Sequence, residues 1–115
     1  MIEQDISQLE VDIDMARAAI HKMEALDRLY KNRDFKELIT DGYFMKEASR
    51  NVLLKGDLNI TEETERHCDK MIVGIGCLRA YFQTVNHFGQ QAQVAMVDYE
   101  ETHQELLQEQ LTGSE

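Results

Sequence analysis

The sequence predicts an all-α protein, a long antiparallel coiled-coil-like helical hairpin with a short two-helix insert. Three observations predict it. The 115-residue chain has no proline and only six glycines, so the residues that most often interrupt helices are scarce. Two stretches, one toward each end, place apolar residues in steps that alternate four and three. That is the 3.5-residue repeat of helices packed side by side. Between them lies a segment with its own turn and capping signals. At this length one domain over residues 1–115 is expected.

The first element is a helix over 2–30. Ile2, Ile6, Leu9, Ile13, Ala16, Ile20 and Met23 keep the alternation without a miss. Asp27 interrupts it, and Leu26, Leu29 and Tyr30 form the last turn. At ~1.5 Å per residue such a helix is roughly 43 Å long.

The insert spans 34–55. Asn32-Arg33-Asp34 is the expected turn, and Asp34 with Glu37 fits a capping box. Phe35, Leu38 and Ile39 give the first short helix an apolar face. Thr40-Asp41-Gly42 should end it, with Gly42 in the left-handed conformation. A second short helix from Tyr43 to Lys55 should bury Phe44, Ala48, Val52 and Leu53. A loop follows at Gly56–Ile60.

The last element is a long helix over 61–111, either straight through or kinked near His87-Phe88-Gly89. Thr61 is its expected cap, and Glu62, Glu63 and Glu65 suit the positive end of its dipole. Its stripe runs Met71, Ile75, Leu78, Phe82, Val85, Gly89, Ala92, Met96, Tyr99, His103, Leu106. Residues 112–115 should fray. The simplest packing lays 2–30 antiparallel along the distal part of this helix. The seam would then rest on Ile6, Leu9, Ile13, Ile20, Phe82, Met96 and Tyr99.

The net charge of −10 argues against direct binding to nucleic acid or to an anionic membrane, where phosphate attraction needs Lys and Arg. Residues 1–14 and 98–115 hold five and six carboxylates and no Lys or Arg. In an antiparallel hairpin these stretches meet at one pole. The pole is either a solvated face that aids solubility or a docking site for a basic partner, with Asp12, Asp14, Glu101 and Glu105 as its residues. The insert carries Lys31, Arg33, Lys36, Lys46, Arg50 and Lys55 at its edges and within it, so the other tip should be mixed to mildly basic.

Cys68 and Cys77 are nine apart, roughly 900° on one helix, which puts them on opposite faces. They are expected to be reduced thiols of a cytosolic-type compartment. No signal peptide is expected, since no apolar stretch follows a basic start, and the longest apolar run, Met71–Leu78, is too short for a membrane span.

No catalytic, cofactor-binding or metal-binding residues are expected. The four histidines never pair at three or four residues, the spacing that aims two ligands from one helix face. His103 falls in the apolar seam, where a buried polar contact or a register-setting role is expected. Asp57-x-Asn59-x-Thr61 starts like a calcium loop, but Cys68 stands where the closing Glu belongs. Gly74-x-Gly76 lacks the strand and third glycine of a dinucleotide motif. Both glycines instead predict close approach by the insert. Tyr43, Phe44 and Met45 are consecutive, and Ile72 and Val73 lie off the stripe. This apolar excess predicts a homo-oligomer.

The stretch Asn32-Arg33-Asp34-Phe35-Lys36-Glu37-Leu38-Ile39-Thr40-Asp41-Gly42-Tyr43-Phe44-Met45-Lys46-Glu47-Ala48-Ser49-Arg50 resembles a pattern in small, uncharacterised helical proteins of tailed bacteriophages. Its core there is Asp-Phe-x-x-Leu/Ile-Ile-x-x-Gly-Tyr-Phe/Leu followed by Glu-Ala-x-Arg, and the downstream loop, acidic cap and long helix are similar. The resemblance implies a phage origin, in the host cytoplasm or the virion, and supplies no activity. Three functions are then open. The first is a non-enzymatic assembly or virion-associated protein acting by self-association, with Tyr43 and Phe44 as further interaction residues. The second is an acidic inhibitor that occupies a basic, nucleic-acid-binding groove of a host protein. The third is an enzyme or small-ligand binder with its pocket between the insert and the long helix, near Tyr43, Arg50 and Arg79.

Overall fold

A computed structural model describes residues 1–113. The protein is an all-α helical hairpin. Helix α1 spans Ile2–Lys31 and α2 spans Arg33–Phe35. A π-helix over Lys36–Glu47, α3 over Ala48–Lys55 and α4 over Glu62–Gly113 complete it.

The chain leaves α1 through one extended residue, Asn32. Its Oδ1 accepts a 2.9 Å hydrogen bond from the Phe35 N–H, satisfying one free donor of the next helix. Asn32 is therefore the cap expected at Asp34, which lies inside the helix. The break expected at Gly42 does not occur. Gly42 sits within the π-helix, no glycine has a positive φ among the described residues, and 33–55 is helical throughout. The two-helix insert is thus one helical run whose winding changes twice.

That winding explains which side chains the insert covers. A π-turn closes i→i+5 bonds and takes up more chain than an α-turn, so the buried face drifts from α-helical spacing. Phe35, Ile39, Phe44 and Ala48 are covered as expected. Leu38, Val52 and Leu53 are exposed at 69%, 56% and 76%. Asn51 is buried in their place. Its amide donates to the Glu47 carbonyl at 2.8 Å, holding a backbone acceptor where π-winding gives way to α.

Helix α4 begins as its sequence foretells. The Thr64 N–H donates to Thr61 Oγ1 at 3.2 Å, and Glu62, Glu63 and Glu65 occupy the first turn. It continues unbroken through Thr112 and Gly113, past the point where fraying was expected. The remaining residues of that expectation, 114 and 115, lie outside those described. Cys68 is buried and Cys77 exposed, both free.

The chain divides into two compact units, Met1–Ala25 with Val85–Glu115, and Leu26–Thr84. In the first, α1 and α4 run antiparallel. His103 faces Glu10 and Gly89 faces Met23, so advancing along α1 means retreating by nearly the same number along α4. Ile6, Ile13, Ala16 and Ala92 are its buried apolar side chains. In the second unit Phe82 of α4 is the hub. Its ring lies 6.1 Å from Tyr30 and Phe35 and 5.8 Å from Phe44. Leu26, Cys68 and Ile75 are buried there, and Lys55 pairs with Asp69 to tie the end of α3 to α4. Every residue of both predicted stripes is buried or half-buried.

Candidate functional site

Two helices packed along one seam leave a flank open on each side, and in the α1–α4 unit the two flanks differ chemically. One is polar. Glu10, Asp14, Arg17, Glu100 and His103 line a shallow groove there. His103 Nε2 lies 3.1 Å from Glu10 Oε1, so the one polar residue of the α4 stripe joins the helices through a side-chain contact. The contact is polar, as the place of His103 in the seam predicts, but it lies at the exposed edge of the seam rather than buried within it.

The other flank is apolar. Ala16 and Ala19 of α1 meet Ala92 and Ala95 of α4 in a groove of about 370 Å³. These alanines are buried or half-buried and form its floor. Met15 and Phe88 flank it at 67% and 56% exposure. Small side chains let the two backbones close up, and Gly89 takes this furthest. A Cβ there would fall 2.3 Å from the Met23 Cβ. The groove therefore follows from a sequence that spends its small residues on the seam and leaves large apolar ones at the edge. It was not foreseen. The available signal was the alanine pairs at i, i+3 together with Met15 and Phe88 beside the stripe.

The close approach expected at Gly74 and Gly76 is only partly found. A Cβ on Gly74 would lie 3.9 Å from the Tyr43 hydroxyl, an ordinary contact with the insert, and Gly76 has nothing within 4 Å. Gly89 is where the helices nearly touch.

The acidic residues named from sequence do not share one face. Asp12 lines the apolar groove and Asp14 the polar one. Glu101 and Glu105 lie with Leu107, Gln108 and Leu111 along α4 itself. Asp12 also accepts a 3.1 Å hydrogen bond from Gln8. The charge is nonetheless segregated by unit. Residues 1–25 and 85–113 hold eleven carboxylates against Arg17 and Lys22 alone, whereas 26–84 balance ten carboxylates with ten Lys and Arg.

Tyr43 and Phe44 are half-buried. Their rings are 6.0 Å apart and Phe44 packs on Phe82, so both serve the interior of their unit. Arg50 is occupied by Glu47, with its Nε donating to Oε2 at 3.2 Å. The Arg50 hydrogen bond holds the Glu47 carboxyl below the usual carboxylate range, and the same bond raises the guanidinium. The Asp69 carboxylate likewise raises the Lys55 ammonium. Among the described residues no group of three His, Cys, Asp or Glu could hold a metal ion, and no helix is long and apolar enough to cross a membrane.

No protein-family model, curated protein or solved structure matches the chain.

Proposed function

We propose that this chain is a non-enzymatic assembly protein of the kind tailed bacteriophages encode, acting through helix packing and self-association in the host cytoplasm or the virion. The observation that carries this reading is the apolar groove beside the α1–α4 seam. Among the described residues the apolar side chains that this helix pair buries are Ile6, Ile13, Ala16 and Ala92, a small core, and helices draw most of their stability from packing. Apolar side chains held at the edge of such a pair gain by being covered. Sedimentation velocity across a wide concentration range tests it. A concentration-dependent shift to a larger species is expected, and a monomer at every concentration would rule it out.

A second reading, an acidic inhibitor that fills a basic groove on a host protein, is favoured by the eleven carboxylates against Arg17 and Lys22 among the described residues of the α1–α4 unit. Changing Asp12, Asp14, Glu101 and Glu105 together to Asn and Gln separates the readings. The inhibitor would lose its partner, whereas an assembly protein would still self-associate.

A further inference from the structure

We infer that the insert is a two-state element. Its run at 36–47 rewinds between π- and α-winding and so exchanges the face that it lays on the rest of its unit, Leu26–Thr84. The π-wound state covers Thr40 Oγ1 and Asn51 and leaves Leu38, Met45 and Val52 in solvent. In the α-wound state the two sets change places.

The polar set is held at a cost. Asn51 is 1% exposed, and both its Oδ1 and Thr40 Oγ1 are buried with no hydrogen-bond partner among the described residues. Buried acceptors without partners are destabilising. Thr40 and Asn51 are eleven residues apart. On an α-helix eleven residues make almost three turns, so the two would lie within about 20° of one another. One change of winding therefore brings both to a single face, where water satisfies both.

The apolar set answers to the same change. Leu38, Met45 and Val52 are 69%, 62% and 56% exposed and lie seven residues apart. On an α-helix each seven-residue step falls only about 20° short of two turns. The three then form one stripe, with Phe35, Gly42 and Ala48 beside it. Thr40 and Asn51 lie roughly 150° around the axis from Leu38. With i→i+5 closure the same step falls well short of two turns, and the stripe is broken up. The insert thus encodes an amphipathic α-helix over 33–55 that the π-wound state does not use. Local pattern and structure disagree in this way where a segment serves more than one arrangement.

Gly42 is the pivot. A Cβ there would fall 2.7 Å from the Glu37 carbonyl oxygen five residues back, a contact that i→i+5 closure creates and α-winding removes. Glycine therefore admits both windings, and any larger residue selects the α-wound one. Two contacts hold the π-wound state as the major form. The Phe44 ring packs 5.8 Å from that of Phe82, and Lys55 pairs with Asp69. α-Winding carries Phe44 to the edge of the apolar stripe and turns Lys55 away from Asp69. A gap set by such opposing terms leaves a minor state at about 0.1–10%.

Nuclear magnetic resonance on the full chain tests this. In the parent protein, relaxation dispersion and saturation transfer should find exchange in 33–55, and a soluble paramagnetic reagent should reach the methyl groups of Met45 and Val52. Gly42→Ala should raise the α-wound share about tenfold or more, since crowding penalises the π-wound state alone. It should also shield both methyl groups and move the short Hα-to-amide contacts of 36–47 from i+5 to i+4. Val52→Asp alters a side chain that the π-wound state leaves in solvent. It should cut the α-wound share about a hundredfold, because there the charge would be buried unpaired, and so quench the exchange. Circular dichroism reports whether each variant is folded, and Val52→Asp decides alone if Gly42→Ala is not. A parent insert without exchange, a folded Gly42→Ala protein whose two methyl groups stay as accessible as the parent's, or exchange unmoved by Val52→Asp would each overturn the inference.

Discussion

Gly76 and Gly89 occupy the same helix and have opposite surroundings. At Gly76 an added Cβ meets nothing within 4 Å, whereas at Gly89 it would meet Met23 Cβ at 2.3 Å. Glycine costs a helix interior up to ~1 kcal/mol relative to alanine. Gly76→Ala should therefore raise stability by roughly that amount, and Gly89→Ala should lower it by about 1–3 kcal/mol through overpacking. Thermal melts of the two variants check this, and shifts of the same sign would refute it. The sequence placed Gly89 correctly in the stripe but gave no reason to expect crowding there rather than at Gly74 and Gly76, because crowding depends on the facing residue. A second residue-scale consequence concerns Glu47, whose carboxyl is lowered first by its hydrogen bond from Arg50. Lowering means that the folded state favours the charged form. The small contribution is therefore present above the ordinary carboxylate range and is lost as acid titrates the carboxyl. An NMR titration should find Glu47 below its ordinary range, and Arg50→Gln should move it back up. A titration unmoved by Arg50→Gln would mean that the pair does not persist in solution.

At the level of elements, the heptad pattern made α1 and α4 legible nearly to the residue, since a sustained 3.5-residue rhythm has one simple structural meaning. The insert was legible as helix but not in its facing. An α-helical reading buries Val52, and the structure exposes it and buries Asn51 instead. The sequence carries no marker of π-winding comparable to a cap or a heptad, and each π-turn displaces every later position around the axis. Gly42 is the residue that this winding requires. A Cβ there would fall 2.7 Å from the Glu37 carbonyl oxygen five residues back, and a backbone atom cannot swing aside. Gly42→Ala should then destabilise the protein by roughly 1–2 kcal/mol despite alanine's better helix propensity. A melt at or above that of the parent protein would show that the run at 36–47 can rewind as an ordinary α-helix without cost. Asn51 bears on the same element. It satisfies the Glu47 carbonyl through its amide, while its own Oδ1, like Thr40 Oγ1, has no hydrogen-bond partner among the described residues. Buried acceptors left this way carry a desolvation penalty, so the insert holds its winding against a local cost that packing around Phe82 must offset.

Across the whole molecule, net charge and stability are distributed differently. The unit built on Phe82 balances its ten carboxylates with ten Lys and Arg, so the imbalance among the described residues falls on the α1–α4 unit. The acid-rich stretches 1–14 and 98–113 lie at opposite ends of the chain, and the antiparallel pairing that the heptads predict was what made their meeting legible in the sequence. The four carboxylates singled out from sequence belong to this unit but spread over three faces. Folding brings the carboxylates of two helices together, and repulsion between exposed charges fades once salt shortens the screening length to about 10 Å or less. Raising NaCl from 20 to 500 mM should accordingly strengthen amide-exchange protection in 1–25 and 85–113 and leave 26–84 nearly unchanged. Replacing Asp12, Asp14, Glu101 and Glu105 by Asn and Gln should supply much of the same gain at low salt, a few tenths of a kcal/mol for each repulsion relieved and roughly 1 kcal/mol together. The salt response of that variant should be correspondingly flatter. Equal responses from both units would mean that salt acts through the apolar surface rather than through these charges, since screening can act only where like charges are gathered.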